Sequence, residues 1–174
     1  LMLTVTLARI LFAFTVSFHI IFPAFSIGLG GFLVVFEGLW LFTKNPQYLK
    51  ICKFWIKVFA LTFGMGVVSG IFMEFEFGMN WAGFTHSAGD VLGGLFTYET
   101  LFAFFIEAGF VGVMIFGWNK VNPKLHYFAT CIVFLGVCLS ALGILSANSW
   151  MQTPQGATFV HDHFVVNDWL KVIF

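Results

Sequence analysis

Charged side chains are scarce in this sequence. Lysine and arginine supply 8 residues and aspartate and glutamate another 8, so the net charge is +0 and only 9% of the chain is charged. A neutral chain has no electrostatic basis for binding nucleic acid.

Cysteine is also scarce. Cys52, Cys131 and Cys138 have neither CxxC nor metal-site spacing, so we interpret them as structural thiols within or beside helices.

Apolar side chains are abundant instead. Hydrophobic residues make up 60% of the chain, 26 of them phenylalanine, and the mean hydropathy is +0.96, which excludes an ordinary soluble domain. Since a membrane span needs about 20 apolar residues, we predict an all-α, polytopic membrane protein with a four-helix transmembrane bundle, a fragment of a larger multi-span subunit. The predicted bundle occupies residues 1–150, with spans at about 5–42, 53–79, 94–118 and 125–150.

The predicted connections between the spans indicate how the chain is oriented. They read TKNPQYLKICK, NWAGFTHSAGDVLG and NKVNPK, and lysines cluster at the first and third but are absent from the second. Because cytoplasmic loops retain basic residues, we predict that the first and third connections are cytoplasmic and that the N-terminus is extracytoplasmic. Residues 151–174 are then an extracytoplasmic tail, which we expect to lead towards a further span.

His19 is the sharpest candidate for a cofactor ligand. It lies near the middle of the first span, with no Asp, Glu, Lys or Arg between Ile10 and Phe36. An imidazole in an apolar interior is costly unless one of its nitrogens is used, and haem iron is a suitable partner. A histidine that only forms a hydrogen bond between helices is the alternative.

On the second span, Gly66 and Gly70 form a GxxxG pattern, which favours close helix packing.

Glu99 and Glu107 are the candidates for proton transfer. Eight positions separate them on the third span, which on an α-helix corresponds to roughly 80° of rotation and about 12 Å of rise. Both side chains can therefore face one interior and serve as two stations of a proton path. Carboxyl groups that only stabilise helix packing are the alternative.

The remaining polar residues of the spans carry weaker signals. Glu74 and Glu76 are two residues apart, so a helix directs them to different sides. Arg9 can pair with a carboxylate or a haem propionate, or extend to the membrane interface. Ser140 can extend a hydrogen-bonded chain or stabilise helix contacts.

Four segments of the chain form a recognisable set: ARILFAFTVSFHIIFP, FALTFGMGVVSGIFMEFEFGMNW, YETLFAFFIEAGFVGVMIFGW and LSALGILSANSWMQTPQG. In this order and spacing, they resemble the N-terminal part of the large subunit of the cytochrome bd quinol oxidase family. The resemblance covers the chain up to about Gly156. The string ANSWMQTP is similar to the cyanide-insensitive branch of the family.

The resemblance implies a multi-pass subunit of the bacterial cytoplasmic (inner) membrane. It also implies an enzyme that oxidises quinol and reduces dioxygen to water, with protons taken from the cytoplasm. His19 matches the axial iron ligand of a high-spin haem, either b or d. Glu99, Glu107 and Ser140 match the path that brings protons to the site of oxygen reduction. Glu74 matches a carboxylate of the second helix, and we group it with His19 and Arg9 as a cofactor-binding candidate.

The resemblance also implies what lies outside this chain. A low-spin haem b and the quinol-binding loop belong to later parts of the family's subunit, so we expect this piece alone to be inactive. The implied partners are a second membrane subunit, a small single-span subunit, quinol, dioxygen and the lipid bilayer. The sequence departs from the family pattern at Glu76, usually an uncharged residue, and at Met79, usually threonine.

Two alternatives come from other functional classes. In the first, the chain is a fragment of an ion or proton channel or transporter, with Glu99 and Glu107 along a pore and His19 a packing residue. In the second, it is a membrane anchor of a complex that binds no cofactor.

Overall fold

Long helices dominate the structure, a computed structural model that describes residues 2–174 except for the side chains of Phe102 and Ala103. The helices, in chain order, are α1 (Met2–Thr43), α2 (Pro46–Met79), α3 (Ala82–Tyr98), a π-helical segment (Glu99–Phe104), α4 (Phe105–Phe116), α5 (Pro123–Gln152) and α6 (Trp169–Ile173). Two short strands, β1 (Ala157–Val160) and β2 (His163–Val166), lie between α5 and α6.

The predicted fold class is confirmed. Four helical stretches are long and apolar enough to cross a membrane, and one of them is the continuous run of α3, the π-helical segment and α4. Many large apolar side chains point outward, among them Leu61 at 68% and Phe72 at 64% exposure. Apolar side chains on the outer surface are what a lipid environment requires, since lipid tails are as apolar as the side chains themselves.

Two of the predicted connections are much shorter in the structure. We expected residues 43–53 to be a connection, but α2 already begins at Pro46, where Asn45 caps the helix by accepting a hydrogen bond from the Gln47 N–H at 2.9 Å. An asparagine at the N-cap position followed by a proline at the first helical position is typical of the start of a helix. We also expected residues 80–93 to be a connection, but α3 begins at Ala82. This segment contains no proline, and a glycine inside a helix costs only about 1 kcal/mol.

The buried side chains form two clusters at different levels of the bundle. The larger one joins α1, α2, α4 and α5 and includes Leu33, Phe59, Met114 and Val133. The smaller one joins α3, the end of α5 and the tail, and Trp150 and Val172 belong to it. The cysteines lie in α2 and α5, and all three are free thiols.

The tail contains a hairpin that the sequence analysis did not predict. β1 and β2 are antiparallel, with Ala157 opposite Val166 and Val160 opposite His163. The two residues between the strands, His161 and Asp162, both have positive φ, 48° and 67°. Two-residue hairpin turns of this kind usually contain Asn-Gly or Asp-Gly. The sequence His161-Asp162 therefore did not indicate a hairpin turn.

Candidate functional site

His19 lies where α1 and α2 approach each other closely. Its Nδ1 is 2.9 Å from Ser69 Oγ on α2. A Cβ atom at Gly70 would be only 3.1 Å from His19 Cε1, and one at Gly66 would be 3.4 Å from Phe22 Cβ. The GxxxG pattern therefore has the predicted effect, because its missing side chains let the imidazole and its neighbours on α1 lie directly against α2.

Glu99 and Ser140 are in direct contact. Glu99 is the first residue of the π-helical segment, and its Oε1 accepts a hydrogen bond of 2.8 Å from Ser140 Oγ on α5. Segments with i→i+5 hydrogen bonds are rare and occur frequently at functional sites. The segment also changes the rotation between Glu99 and Glu107, so the angle of 80° expected from a regular α-helix does not apply.

Glu107 lies in the first turn of α4 and is buried, with 5% exposure. It makes no side-chain hydrogen bond among the residues that the structure describes. Glu107 follows Glu99 on the same helical stretch, and Glu74 belongs to the neighbouring helix α2.

Glu74 is exposed and lines a cavity of about 530 Å³. The cavity lies between α2, α3 and the π-helical segment, and its lining includes Gly89, Gly93 and Thr100. Apart from the adjoining residues and backbone of the same helix, no atom of the described residues lies within 4 Å of a Cβ added to either glycine. Ligand sites typically have volumes of about 300–1,000 Å³, so this cavity is large enough for a cofactor edge or a small ligand.

Two of the candidate residues are not part of this arrangement. His19 does not line the cavity; it contacts α2 at Ser69 and Gly70, one helical turn before Glu74. Arg9 is exposed near the start of α1 and forms no ion pair with any residue that the structure describes. The expectation that Arg9 pairs with a carboxylate therefore has no support within this chain, and its pairing with a haem propionate stays a prediction.

The second α1–α2 contact involves Glu76, which the sequence analysis did not select. Glu76 is 5% exposed, and its Oε1 is 2.5 Å from Thr15 Oγ1, one turn before His19. Its Oε2 and the indole nitrogen of Trp81 are buried without a hydrogen-bond partner among the described residues. Of the two neighbouring glutamates, Glu76 is buried between helices and Glu74 faces the cavity, as their opposite directions on a helix required.

A third buried polar cluster joins α1 and α5 and was also missed. Glu37 Oε1 lies 2.6 Å from His126 Nδ1, Glu37 Oε2 accepts a hydrogen bond of 2.6 Å from Thr130, and His126 Nε2 lies 3.1 Å from the Met114 carbonyl oxygen. Trp118 packs on the imidazole, with the ring centroids 3.8 Å apart. The signal was in the sequence: an acidic residue with apolar neighbours on both sides, inside a predicted span.

Comparison with known proteins supports the resemblance found in the sequence. Residues 7–174 match the family model of cytochrome bd terminal oxidase subunit I. The chain belongs to this family. Cytochrome bd ubiquinol oxidase subunit 1 of Bacillus subtilis is 43% identical over 96% of the chain, and cytochrome bd-II ubiquinol oxidase subunit 1 of Escherichia coli is 41% identical over 89%. The bd oxidase structure from Geobacillus thermodenitrificans covers 98% of the chain with a TM-score of 0.90 and 29% identity.

The chain spans about a third of the length of these cytochrome bd relatives. It aligns with 36% of the Bacillus subtilis protein, 30% of the Escherichia coli protein and 39% of the Geobacillus thermodenitrificans chain. As a member of the family, and with four helical stretches long enough to cross a membrane, the chain belongs to a multi-pass bacterial membrane protein. The family contains haem.

The residues around His19 fit a haem. The imidazole is partly buried in the α1–α2 contact, and the ring rests where Gly70 has no side chain. In the part of the chain that the structure describes, no three His, Cys, Asp or Glu residues form a group that could hold a bare metal ion. A single histidine is sufficient for haem, because the macrocycle supplies the other strong ligands of the iron and the protein contributes the axial position.

Proposed function

We propose that this chain is the N-terminal part of a haem-containing quinol oxidase subunit. In this proposal His19 binds the iron of a high-spin haem, and Glu107, Glu99 and Ser140 bring protons to the site of oxygen reduction. The observation that carries the proposal is the hydrogen bond of 2.8 Å between Ser140 and Glu99 on the π-helical segment, with buried Glu107 following on the same helical stretch. Family membership supplies the reaction, the oxidation of quinol and the reduction of dioxygen to water.

Each residue on the path has a specific task. Glu107 receives a proton and holds it in an apolar environment, where a neutral carboxyl group is stable and an isolated carboxylate is costly. Glu99 accepts the proton next, since it is the other ionisable group of this helical stretch whose carboxyl group has a hydrogen-bond partner on α5. The Ser140 hydroxyl orients the Glu99 carboxyl group through its hydrogen bond. When bound, the haem supplies electron transfer and oxygen chemistry.

The cytoplasm is the proposed source of the protons. The Nζ atom of Lys53, near the start of α2, lies 5.5 Å from the ring centroid of Trp118, which is the second residue after the end of α4. The first and third connections therefore lie at the same end of the bundle, and the basic residues of both support a cytoplasmic location for that end. In this orientation the N-terminus is extracytoplasmic, and the subunit lies in the bacterial inner membrane. Quinol, dioxygen, a second membrane subunit and a small single-span subunit are the proposed partners.

The variant Glu107→Gln in the complete oxidase tests the proton path. General acid–base groups typically contribute a factor of about 100 to 10,000 to a rate, so we expect oxygen reduction to slow by at least about 100-fold while the haem absorption bands persist. Asp90→Asn is the matched control, because Asp90 is an exposed acidic residue on the same helical stretch. Full turnover by Glu107→Gln would remove this residue from the path.

The variant His19→Ala separates the proposed function from its alternatives. If His19 binds haem iron, the absorption spectrum of the purified complex loses the bands of one high-spin haem. An unchanged haem spectrum would contradict the proposed ligand. A colourless wild-type protein that conducts ions would instead support the transporter alternative, and a colourless protein without flux would support the anchor.

A further inference from the structure

The side chain of Ser69 on α2 lies within hydrogen-bond distance of the His19 imidazole. It lies one helical turn after Met65 and is 6% exposed, so water has little access to its hydroxyl group. Its Oγ atom is 2.9 Å from His19 Nδ1, 2.7 Å from the Met65 carbonyl oxygen and 3.1 Å from the Gly66 carbonyl oxygen. The hydroxyl group thus has three possible hydrogen-bond partners.

The hydrogen count decides which group donates. A serine hydroxyl has one hydrogen, and a carbonyl oxygen can only accept. Two carbonyl oxygens of α2 compete for this hydrogen, and the contact to Met65 is shorter than the contact to His19. The hydroxyl hydrogen is therefore used within α2, and the Oγ lone pairs face His19. For the contact of 2.9 Å to be a hydrogen bond, His19 Nδ1 must carry the hydrogen and donate it.

The same count of hydrogens decides whether the other ring nitrogen, Nε2, carries a hydrogen. A neutral imidazole carries one hydrogen, so a hydrogen on Nδ1 leaves a free lone pair on Nε2. A lone pair is what an imidazole needs to bind iron, and a hydrogen bond from the second nitrogen both orients the ring and makes it a stronger ligand.

We propose that Ser69 is a positioning residue that holds His19 in the Nδ1–H tautomer and so directs the Nε2 lone pair to the haem iron. This inference rests on the proposed function of His19 as the iron ligand. Gly70 contributes to the same arrangement, since a Cβ there would be 3.1 Å from His19 Cε1 and would displace the ring from the Ser69 hydroxyl.

The test compares Ser69→Thr with Ser69→Val in the complete oxidase. The two substituted side chains have nearly the same shape, but only threonine keeps a hydroxyl group. Two readouts are independent of turnover: the iron–imidazole stretching frequency in the resonance Raman spectrum of the reduced enzyme, and the rate at which haem is lost to an excess of a haem-free globin. Ser26→Ala is the control, because Ser26 is a buried serine of α1 two turns away from His19.

We expect Ser69→Thr and Ser26→Ala to match the wild type in both readouts. Ser69→Val should show a lower stretching frequency and haem loss that is faster by about 10-fold or more, the usual effect of removing a hydrogen-bond partner of a metal ligand. If Ser69→Val keeps the wild-type frequency and rate, Ser69 has no positioning role. If His19→Ala also keeps every haem band, the proposed function itself fails, so the two failures are distinguishable.

Discussion

The cluster of Glu37, His126 and Thr130 allows a quantitative test of how buried polar groups hold this bundle together. The three side chains are 0%, 1% and 1% exposed. Glu37 contacts His126 at 2.6 Å and Thr130 at 2.6 Å, so each carboxylate oxygen has one partner. Removal of His126 leaves Glu37 Oε1 and the Met114 carbonyl oxygen without their partner.

The two single substitutions and the double substitution differ in what they leave unpaired. His126→Leu leaves a buried acid without its partner, and breaking a buried pair in this way costs about 3–5 kcal/mol of unfolding free energy. Glu37→Met leaves an imidazole nitrogen of His126 unpaired, at a cost of about 1–3 kcal/mol. The double variant leaves only the Met114 carbonyl oxygen unpaired, since Thr130 can still donate to the backbone carbonyl of residue 126 at 3.3 Å. We expect the double variant to lose about 1 kcal/mol, although the two single losses sum to about 4–8 kcal/mol, which implies a coupling energy of about 3–7 kcal/mol.

Denaturant titration of the complete oxidase in detergent provides the measurement. His86→Leu is the matched control, because His86 is exposed on α3 and its replacement should change the unfolding free energy by less than about 0.5 kcal/mol. The reasoning is refuted if His126→Leu is as stable as this control. It is also refuted if the double variant loses the full sum of the two single effects, because the two side chains would then contribute independently.

Two glycine substitutions test the close contacts. Gly70→Ala places a Cβ 3.1 Å from His19 Cε1, so we expect a lower haem content per protein, measured by the pyridine haemochrome spectrum. Gly94→Ala places a Cβ in the position of the Trp169 ring, so the tail should detach and its backbone amides should exchange hydrogen faster by mass spectrometry. Gly64→Ala is the control for both, because its added Cβ meets no side chain or other helix within 4 Å in the described part of the chain. A haem content or an exchange rate equal to that of the control would contradict the corresponding contact.

The four membrane-spanning stretches could be predicted because hydrophobicity is a local property. A run of apolar residues longer than the bilayer thickness has few structural choices other than a helix. Hydrophobicity predicted the helix ends poorly, because residues 43–53 and 80–93 were expected to be connections and are mostly helical. Lysine, asparagine and glycine look like loop residues by composition, yet helices occupy most of both segments. Asn45 and Pro46 mark the start of α2, but α3 begins at Ala82 without a side-chain cap or a proline.

The candidate site could be predicted in part. His19, Glu99 and Glu107 stood out because ionisable groups are rare in apolar helices. Ser140 carried only a weak signal of its own, which the family resemblance strengthened, and it is in contact with Glu99 in the structure. Glu37 was missed even though the same rule applies to it. Its role depends on His126, which is 89 positions away in the chain, and no sequence pattern indicated that the two residues are in contact.

The sequence by itself determined the environment of this protein, the number of its spans and the residue types that carry its chemistry. These depend on the transfer of side chains and backbone groups into lipid, which each segment undergoes whatever its neighbours are. Only the tertiary structure decided which polar groups meet: Thr15 with Glu76 across 61 positions, His19 with Ser69 across 50, and Ser140 with Glu99 across 41. Hydrogen bonds act over about 3 Å, so they depend on how helices rotate and approach one another, and no local pattern along the chain records that.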